Sequence, residues 1–436
     1  MSQTLLPQPV APLDGGRLGR PKTLHRHLSV TLAFVGYPVL WFLGLNVVAF
    51  GLAGLVGLWQ LGQRRGPWHP RPMAVTVWLA FIAWTLTAVV VLGPLDRVLA
   101  FLYRETMYIA ATALLLVITG TRARDLDDRR ILRTVSVLWF ATVAGGLFAL
   151  ITPGLELTTI TERLLPGRLL EIGLIRNIVH LQVAAEARFL GFPIGRPEAP
   201  FPFTNAWGSN LTLLLPVVLA TWSLGSTRRW RIITGTLAVL SIAPLVVSLN
   251  RGAWLTLAVL LLYVGARRVT EVSVRRTIGA LVLLTTLAVA VLVSPLGTLV
   301  SERLDGPGHS DEGRLSLYTQ AIDLTEASPV VGYGAPQPNQ EDPDDSSIGT
   351  HGQLWLLLVS HGVPAALLYV GFFACAWYSA VRWRARHAVW LEAALVAGAI
   401  QFPIYELLPA QTITLCVVAA VALRGYANQR EREAAR

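Results

Sequence analysis

Apolar residues run along this chain in blocks close to the length of about 20 that a helix needs to cross the hydrocarbon core of a bilayer. Short polar intervals rich in arginine separate them. The block from about Leu28 to Leu61 is too long for one such helix and too continuous for two joined by a polar loop, so a break is expected near Gly44 to Asn46. Ten further spans are predicted at about 73–93, 97–119, 131–151, 203–224, 232–249, 252–265, 278–299, 352–378, 388–408 and 409–424. The pattern predicts an all-α polytopic membrane protein with about twelve transmembrane helices.

Arginine placement gives these spans a direction, because cytoplasmic loops are enriched in Arg and Lys. The intervals 62–72, 120–133, 225–231, 266–277 and 380–387 each hold three or more arginines, and all fall on the side of the two tails. Both termini are therefore expected in the cytoplasm. The expected organisation is a tail at 1–27, spans at 28–151, an extracytoplasmic interfacial segment at 152–202, spans at 203–299, a large extracytoplasmic loop at 300–351 between spans nine and ten, spans at 352–424 and a tail at 425–436.

Composition agrees: 53% of the 436 residues are hydrophobic and 14% charged, and the mean hydropathy is +0.54, far from the balance of a soluble globular chain. The net charge of +10 lies in the short clusters already assigned to topology, so no nucleic-acid partner is implied. Lys22 is the only lysine among the 36 basic residues, a bias read as genomic base composition. Cys375 and Cys416 both lie in apolar runs, which suits packed thiols and indicates neither a disulfide framework nor a metal site. No cleavable signal peptide is expected at Met1 to His27.

The two outer segments carry the candidate chemistry. Leu169 to Phe189 shows helical spacing with Glu171, Arg176, His180, Glu186 and Arg188 interposed, which predicts a helix lying in the membrane interface. The Pro and Gly content of the following GFPIGRPEAPFPFTN excludes a regular element there. Arg251, in VVSLNRGAW, stands at the outer membrane edge with almost no loop around it, where a charge tends to mark a cavity. With Arg188 and Arg314 it would offer three guanidinium forks to a diphosphate. His351 ends the large loop after SSIGT, and an imidazole titrating near neutral pH suits a general base. His180 and His309 are weaker rivals, and His361 is expected to be packed. Asp342, Asp344 and Asp345 in EDPDD read as a solvated loop. Glu406, in FPIYELLP, is expected to neutralise one of the cavity arginines.

Taken in order, ARFLGF, FTNAWGSNLTLLLPVV, SLNRGAWLTLAVLLL, EGRLSLYTQAI with ASPVVGYG, and THGQLWLLLVSHGVPAALLYVGFF make the chain from about Arg188 to Phe373 resemble the bacterial O-antigen ligase and polymerase superfamily. The resemblance implies a twelve-helix, metal-independent glycosyltransferase without cofactor. It would sit in the bacterial inner membrane with an outward-facing site and serve lipopolysaccharide or related polysaccharide synthesis. Its donor would be an undecaprenyl diphosphate-linked glycan and its acceptor a hydroxyl of a glycan or glycolipid. Carried onto this chain, the family's arginines fall on Arg188 and Arg251 and its base on His351, with Arg314, Asn205 and Glu406 expected on the substrate side. The reaction expected is a single inverting displacement. Gly352 replaces the family's usual asparagine, and Asn250 a residue that is often small. A ligase is expected, with a polymerase as the alternative. The layout also fits a secondary transporter, but no internal repeat supports it.

Overall fold

The computed structural model describes residues 24–64, 72–189, 192–269, 309–339 and 347–436. Helices occupy nearly all of the apolar blocks. The first runs as α1 (Leu24–Thr31), a π-turn at Leu32–Gly36 and α2 (Tyr37–Trp41). The break expected near Gly44 to Asn46 is present: Gly44 takes a φ of 72° and α3 (Asn46–Gly62) follows. Then come α4 (Met73–Thr87), extended by a 3-10 turn to Val91, α5 (Leu95–Gly120) and α6 (Asp128–Ile151).

After the segment 152–202 come α10 (Thr204–Ser223), α11 (Arg228–Leu240), α12 (Ile242–Val247) and α13 (Arg251–Val269). The C-terminal part holds α14 (His309–Ala327), α15 (Gln353–Arg382), α16 (Ala388–Gln401) and α17 (Ala410–Ala434). Among the described residues six helices are long and apolar enough to cross a membrane, and the apolar α3 and α16 are shorter. The span predicted at 278–299 lies outside the described residues, as do Asp342, Asp344 and Asp345.

α10 carries buried polar residues, Ser209 and Thr212 among them, for a specific reason. Ser209 and Thr212 on it bind Gln401 of α16, Ser209 donating at 2.8 Å and Gln401 donating to Thr212 at 2.9 Å, while Gln411 of α17 donates to Ser209 at 3.2 Å. A satisfied buried network of this kind fixes the register of three helices that apolar packing alone would let slide. Around it lies one continuous apolar core, with Trp78, Phe81, Tyr108, Tyr369 and Phe372 among its largest members.

Two expectations for the outer segment are corrected. The interfacial helix predicted over Leu169 to Phe189 is only α8 (Gly167–Leu170) and α9 (Gly173–Val179); from His180 the chain is extended. β2 (His180–Gln182) pairs with β1 (Glu156–Thr158), which precedes the short α7 (Ile160–Leu164). β3 (Ala184–Phe189) pairs with β4 (Phe192–Pro197), inside the stretch from which Pro and Gly were expected to exclude any regular element. In a two-stranded ribbon both strands are edges, where proline is tolerated. Pro193 and Pro197 oppose Arg188 and Ala184, four residues apart and so in the same alternating class of pair, which leaves the other class its donors. The fold is thus mainly helical, with two small antiparallel ribbons. The large loop likewise contains a helix, α14.

α15 is broken near its start by Gly362, at φ 74°. The segment Pro329–Gly334 docks onto that break: Tyr333 and Gly334 donate backbone N–H groups to the carbonyls of Val359 and Ser360 at 2.9 and 2.7 Å, and Val363 donates to Pro329 at 2.8 Å. Backbone groups released by the broken turn are satisfied by the loop. This anchors α14 and the loop to the end of the bundle that carries the site.

Candidate functional site

The segment 402–409, between α16 and α17, organises one end of the bundle. The helix expected to continue to residue 408 stops at Gln401, and Pro403 and Pro409 frame an irregular stretch. That stretch caps α15. The N–H groups of Gln353 and Leu354 have no partners within their own helix, and they donate to the carbonyls of Tyr405 and Phe402 at 2.7 and 3.0 Å. The Gln353 side chain returns the contact, accepting from the Leu407 N–H at 3.1 Å and donating to Tyr108 Oη at 2.8 Å.

The same segment reaches the start of α13. Tyr405 Oη donates to Asn250 Oδ1, which also accepts the Ala253 N–H at 3.1 Å as a helix cap, while Asn250 Nδ2 donates to the Thr204 carbonyl at 3.4 Å. Tyr405 therefore joins the residue before Arg251 to the helix that begins two residues after His351. Arg196 of β4 holds the same turn from the other side, donating to the Ser248 carbonyl at 2.8 Å.

His351 is half-buried. Its carbonyl accepts from Tyr318 Oη at 3.3 Å, and the Tyr318 ring, on α14, stacks on Trp355 with centroids 4.7 Å apart. Thr350 Oγ1 lies 3.4 Å from His351 Nδ1. A Cβ on Gly352 would lie 2.5 Å from the Pro403 carbonyl oxygen, so the backbone beside His351 packs against the 402–409 segment with no space for a side chain. Gly352 and Asn250 thus both meet that one segment. Arg251, half-buried, is the first residue of α13.

Residues 236–370 match the O-antigen ligase family. The matched stretch starts within α11 and ends within α15, so it includes Arg251, Arg314 and His351 and leaves out Arg188, Asn205 and Glu406. No curated protein matches the chain. The match supports the O-antigen ligase and polymerase superfamily, on a multi-pass helical membrane protein.

Beyond the O-antigen ligase match, the expected residues divide. Arg251, His351 and Glu406 come to one end of the bundle through the contacts above. Asn205, the second residue of α10, is exposed beside Thr204. Arg188 lies in β3 opposite Pro193, and Arg314 lies in α14; their guanidinium groups are outside the described part of the structure. His180 belongs to the segment 152–202, its Nδ1 3.0 Å from Glu162 and its Nε2 3.4 Å from Glu156. His361 is packed, as expected, at 1% exposure.

Glu406 has a partner outside the three expected arginines. Its carboxylate meets Arg104 of α5, Nη2 to Oε1 at 3.5 Å. Arg104 and its neighbour Glu105, which accepts from Thr85 Oγ1 at 3.0 Å, are both buried. The sequence signal for both was available: two adjacent charges inside the apolar block 97–119. Tyr405 and Gln353 carried no such signal. At the edge of the site, burial pushes the Glu198 carboxyl up to about 7, against the pull of the Thr204 N–H and hydroxyl that donate to it. Among the described residues no group of three or more His, Cys, Asp or Glu is placed to hold a metal.

Proposed function

We propose that this protein is a membrane glycosyltransferase of the O-antigen ligase kind. It moves a glycan from an undecaprenyl diphosphate carrier to an acceptor hydroxyl at the outer face of the bacterial inner membrane. The observation that carries this reading is the link through Tyr405, which ties the Arg251 turn to the helix following His351 inside and beside the matched region.

In this reading the acceptor oxygen attacks the anomeric carbon as its proton passes to the His351 imidazole, and the bond from that carbon to the diphosphate breaks with its electron pair on the leaving oxygen. Arg251 and Arg188 hold the diphosphate and stabilise the charge that develops on it. Arg314, Asn205 and Glu406 line the substrate side. Displacement in one step inverts the anomeric centre, and no metal is assigned a role. Twelve spans with cytoplasmic tails and the segments 152–202 and 300–351 outside complete the proposal. Cysteines placed at Ser310 and Ser226 test it, since only the former should react with an impermeant reagent added outside.

The acceptor distinguishes a ligase, which we favour for the dominant loop beside His351, from a polymerase. The deciding experiment is reconstitution with a defined lipid diphosphate glycan and candidate acceptors, with and without chelator. Transfer to a core glycolipid is expected; extension of carrier-linked repeats would make it a polymerase. Loss of transfer on chelation would refute the metal-free mechanism. Uptake of labelled substrate into vesicles, unaffected by His351→Ala, would make it a transporter.

A further inference from the structure

Arg104 stands 9 residues after Leu95, the start of α5, about 14 Å along the helix at 1.5 Å per residue. A guanidinium at such depth is costly unless its donors are used, and it has five of them. Nη1 donates to the Ala100 carbonyl at 3.2 Å, Nη2 meets Glu406 at 3.5 Å, and Nε, fully buried, has no partner. The side chain is 7% exposed, whereas that of Glu406 is 26% exposed. The pair therefore opens on the Glu406 side, at the segment that joins the Arg251 turn to the start of α15.

A carboxylate at the limit of contact, on an irregular segment, is a replaceable partner. A phosphate oxygen offers the same charge with more acceptor positions for a planar fork.

We propose that Arg104 is a further anion-binding residue of this site, taking a phosphate oxygen of a diphosphate, and that Glu406 is its displaceable internal counter-ion. The inference rests on the glycosyltransferase reading for the identity of the diphosphate. Glu406 then competes with the donor rather than binding it. Its removal should favour the ligand, and removal of Arg104 should oppose it.

The test uses the full-length protein in phosphatidylcholine nanodiscs, with farnesyl diphosphate and inorganic diphosphate as probes and direct binding as the readout. Arg104→Gln should weaken farnesyl diphosphate binding about 10-fold or more, the scale of one lost charge-assisted contact. Arg104→Lys should restore part of the loss, and Glu406→Gln should tighten binding several-fold. Equal response to both probes assigns the site to the diphosphate group alone; response to farnesyl diphosphate only assigns it to the lipid-linked form. Weakening by Glu406→Gln alongside Arg104→Gln would overturn the proposal, because the pair would then merely hold the 402–409 segment in place. Glu406→Gln retains the cation, so this reading survives even if Arg104→Gln fails to fold. Opposite signs in binding without glycan transfer by the wild type would leave the anion site standing and remove the glycosyltransferase reading. Transfer by the wild type with an unchanged donor KM in Arg104→Gln would do the reverse.

Discussion

Arg424 and Arg104 are both buried, at 4% and 6% exposure, near opposite ends of α5, yet they are held in different ways. Arg424 of α17 donates to the carbonyls of Ile118, Thr121 and Leu126 at 3.2, 3.0 and 2.9 Å and pairs with Asp128. Backbone carbonyls cannot leave, so the Arg424 end is locked. Arg104 has one carbonyl and one carboxylate at 3.5 Å. Both leave Nε without a partner, so the difference lies in what the terminal nitrogens meet. Arg424 serves the fold; Arg104 is left able to exchange its partner.

Two substitutions test that division at its widest. His351→Ala should lower turnover by roughly two to four orders of magnitude, the scale of general-base catalysis, with donor binding and thermal stability nearly unchanged. Arg424→Ala should do the opposite. Breaking a buried pair from one side costs about 3–5 kcal/mol, read as a lower unfolding midpoint and yield, while the folded fraction keeps its turnover. Loss of donor binding in His351→Ala as severe as in Arg251→Ala would make His351 a phosphate ligand and shift the search for the base.

A pair of glycines sharpens the same contrast. A Cβ on Gly352 meets the Pro403 carbonyl at 2.5 Å and Trp355 Cδ1 at 2.7 Å, whereas one on Gly425 meets the rigid ring of Trp383. Gly352→Ala should displace the approach to His351 and lower turnover about 10-fold or more, on the reasoning that small misplacements are costly near reacting atoms. Gly425→Ala should lower the unfolding midpoint and leave turnover per folded molecule alone. Tyr405→Phe lies below these. It removes one hydrogen bond of about 1 kcal/mol, but Asn250 Oδ1 keeps the Ala253 N–H, so donor KM should rise a few-fold with little change in midpoint.

The contrast between the ends also marks what sequence reveals. The helices beginning at Met73, Leu95, Asp128 and Gln353 were legible because length and apolarity are local properties. The ribbon of β3 and β4 was not, since AAEARF between apolar neighbours fits a helix or a strand, and its ladder partner sits in a stretch whose prolines argue against a strand. Arg251 and His351 stood out as polar residues at span edges. Their connection did not, because it depends on Tyr405, which lies 155 positions from Asn250. Arg104 was legible as well, since a charge inside an apolar block is as costly as one at its edge.

The smallest effect expected is a pH dependence confined to the end that carries Arg251 and Glu406. Glu198 is 4% exposed, and its Oε1 accepts the N–H of Thr204, the residue that opens α10 and whose carbonyl accepts from Asn250. Burial raises its carboxyl from 4.5 to about 7, the Thr204 donors pulling the other way. Between those values the unfolded chain has released this proton and the folded chain retains it. Folding stability therefore falls as pH rises from 4.5 to about 7, and this contribution is level above that. Glu198→Gln cannot ionise and should lack this part of the slope, so its unfolding midpoint in detergent should fall less than that of the wild type across the interval and exceed it by a few degrees at pH 8. Arg424→Ala, at the locked end, should retain the wild-type slope at a lower midpoint. Parallel curves for wild type and Glu198→Gln would mean that Glu198 is ionised throughout and that the Thr204 contacts outweigh its burial.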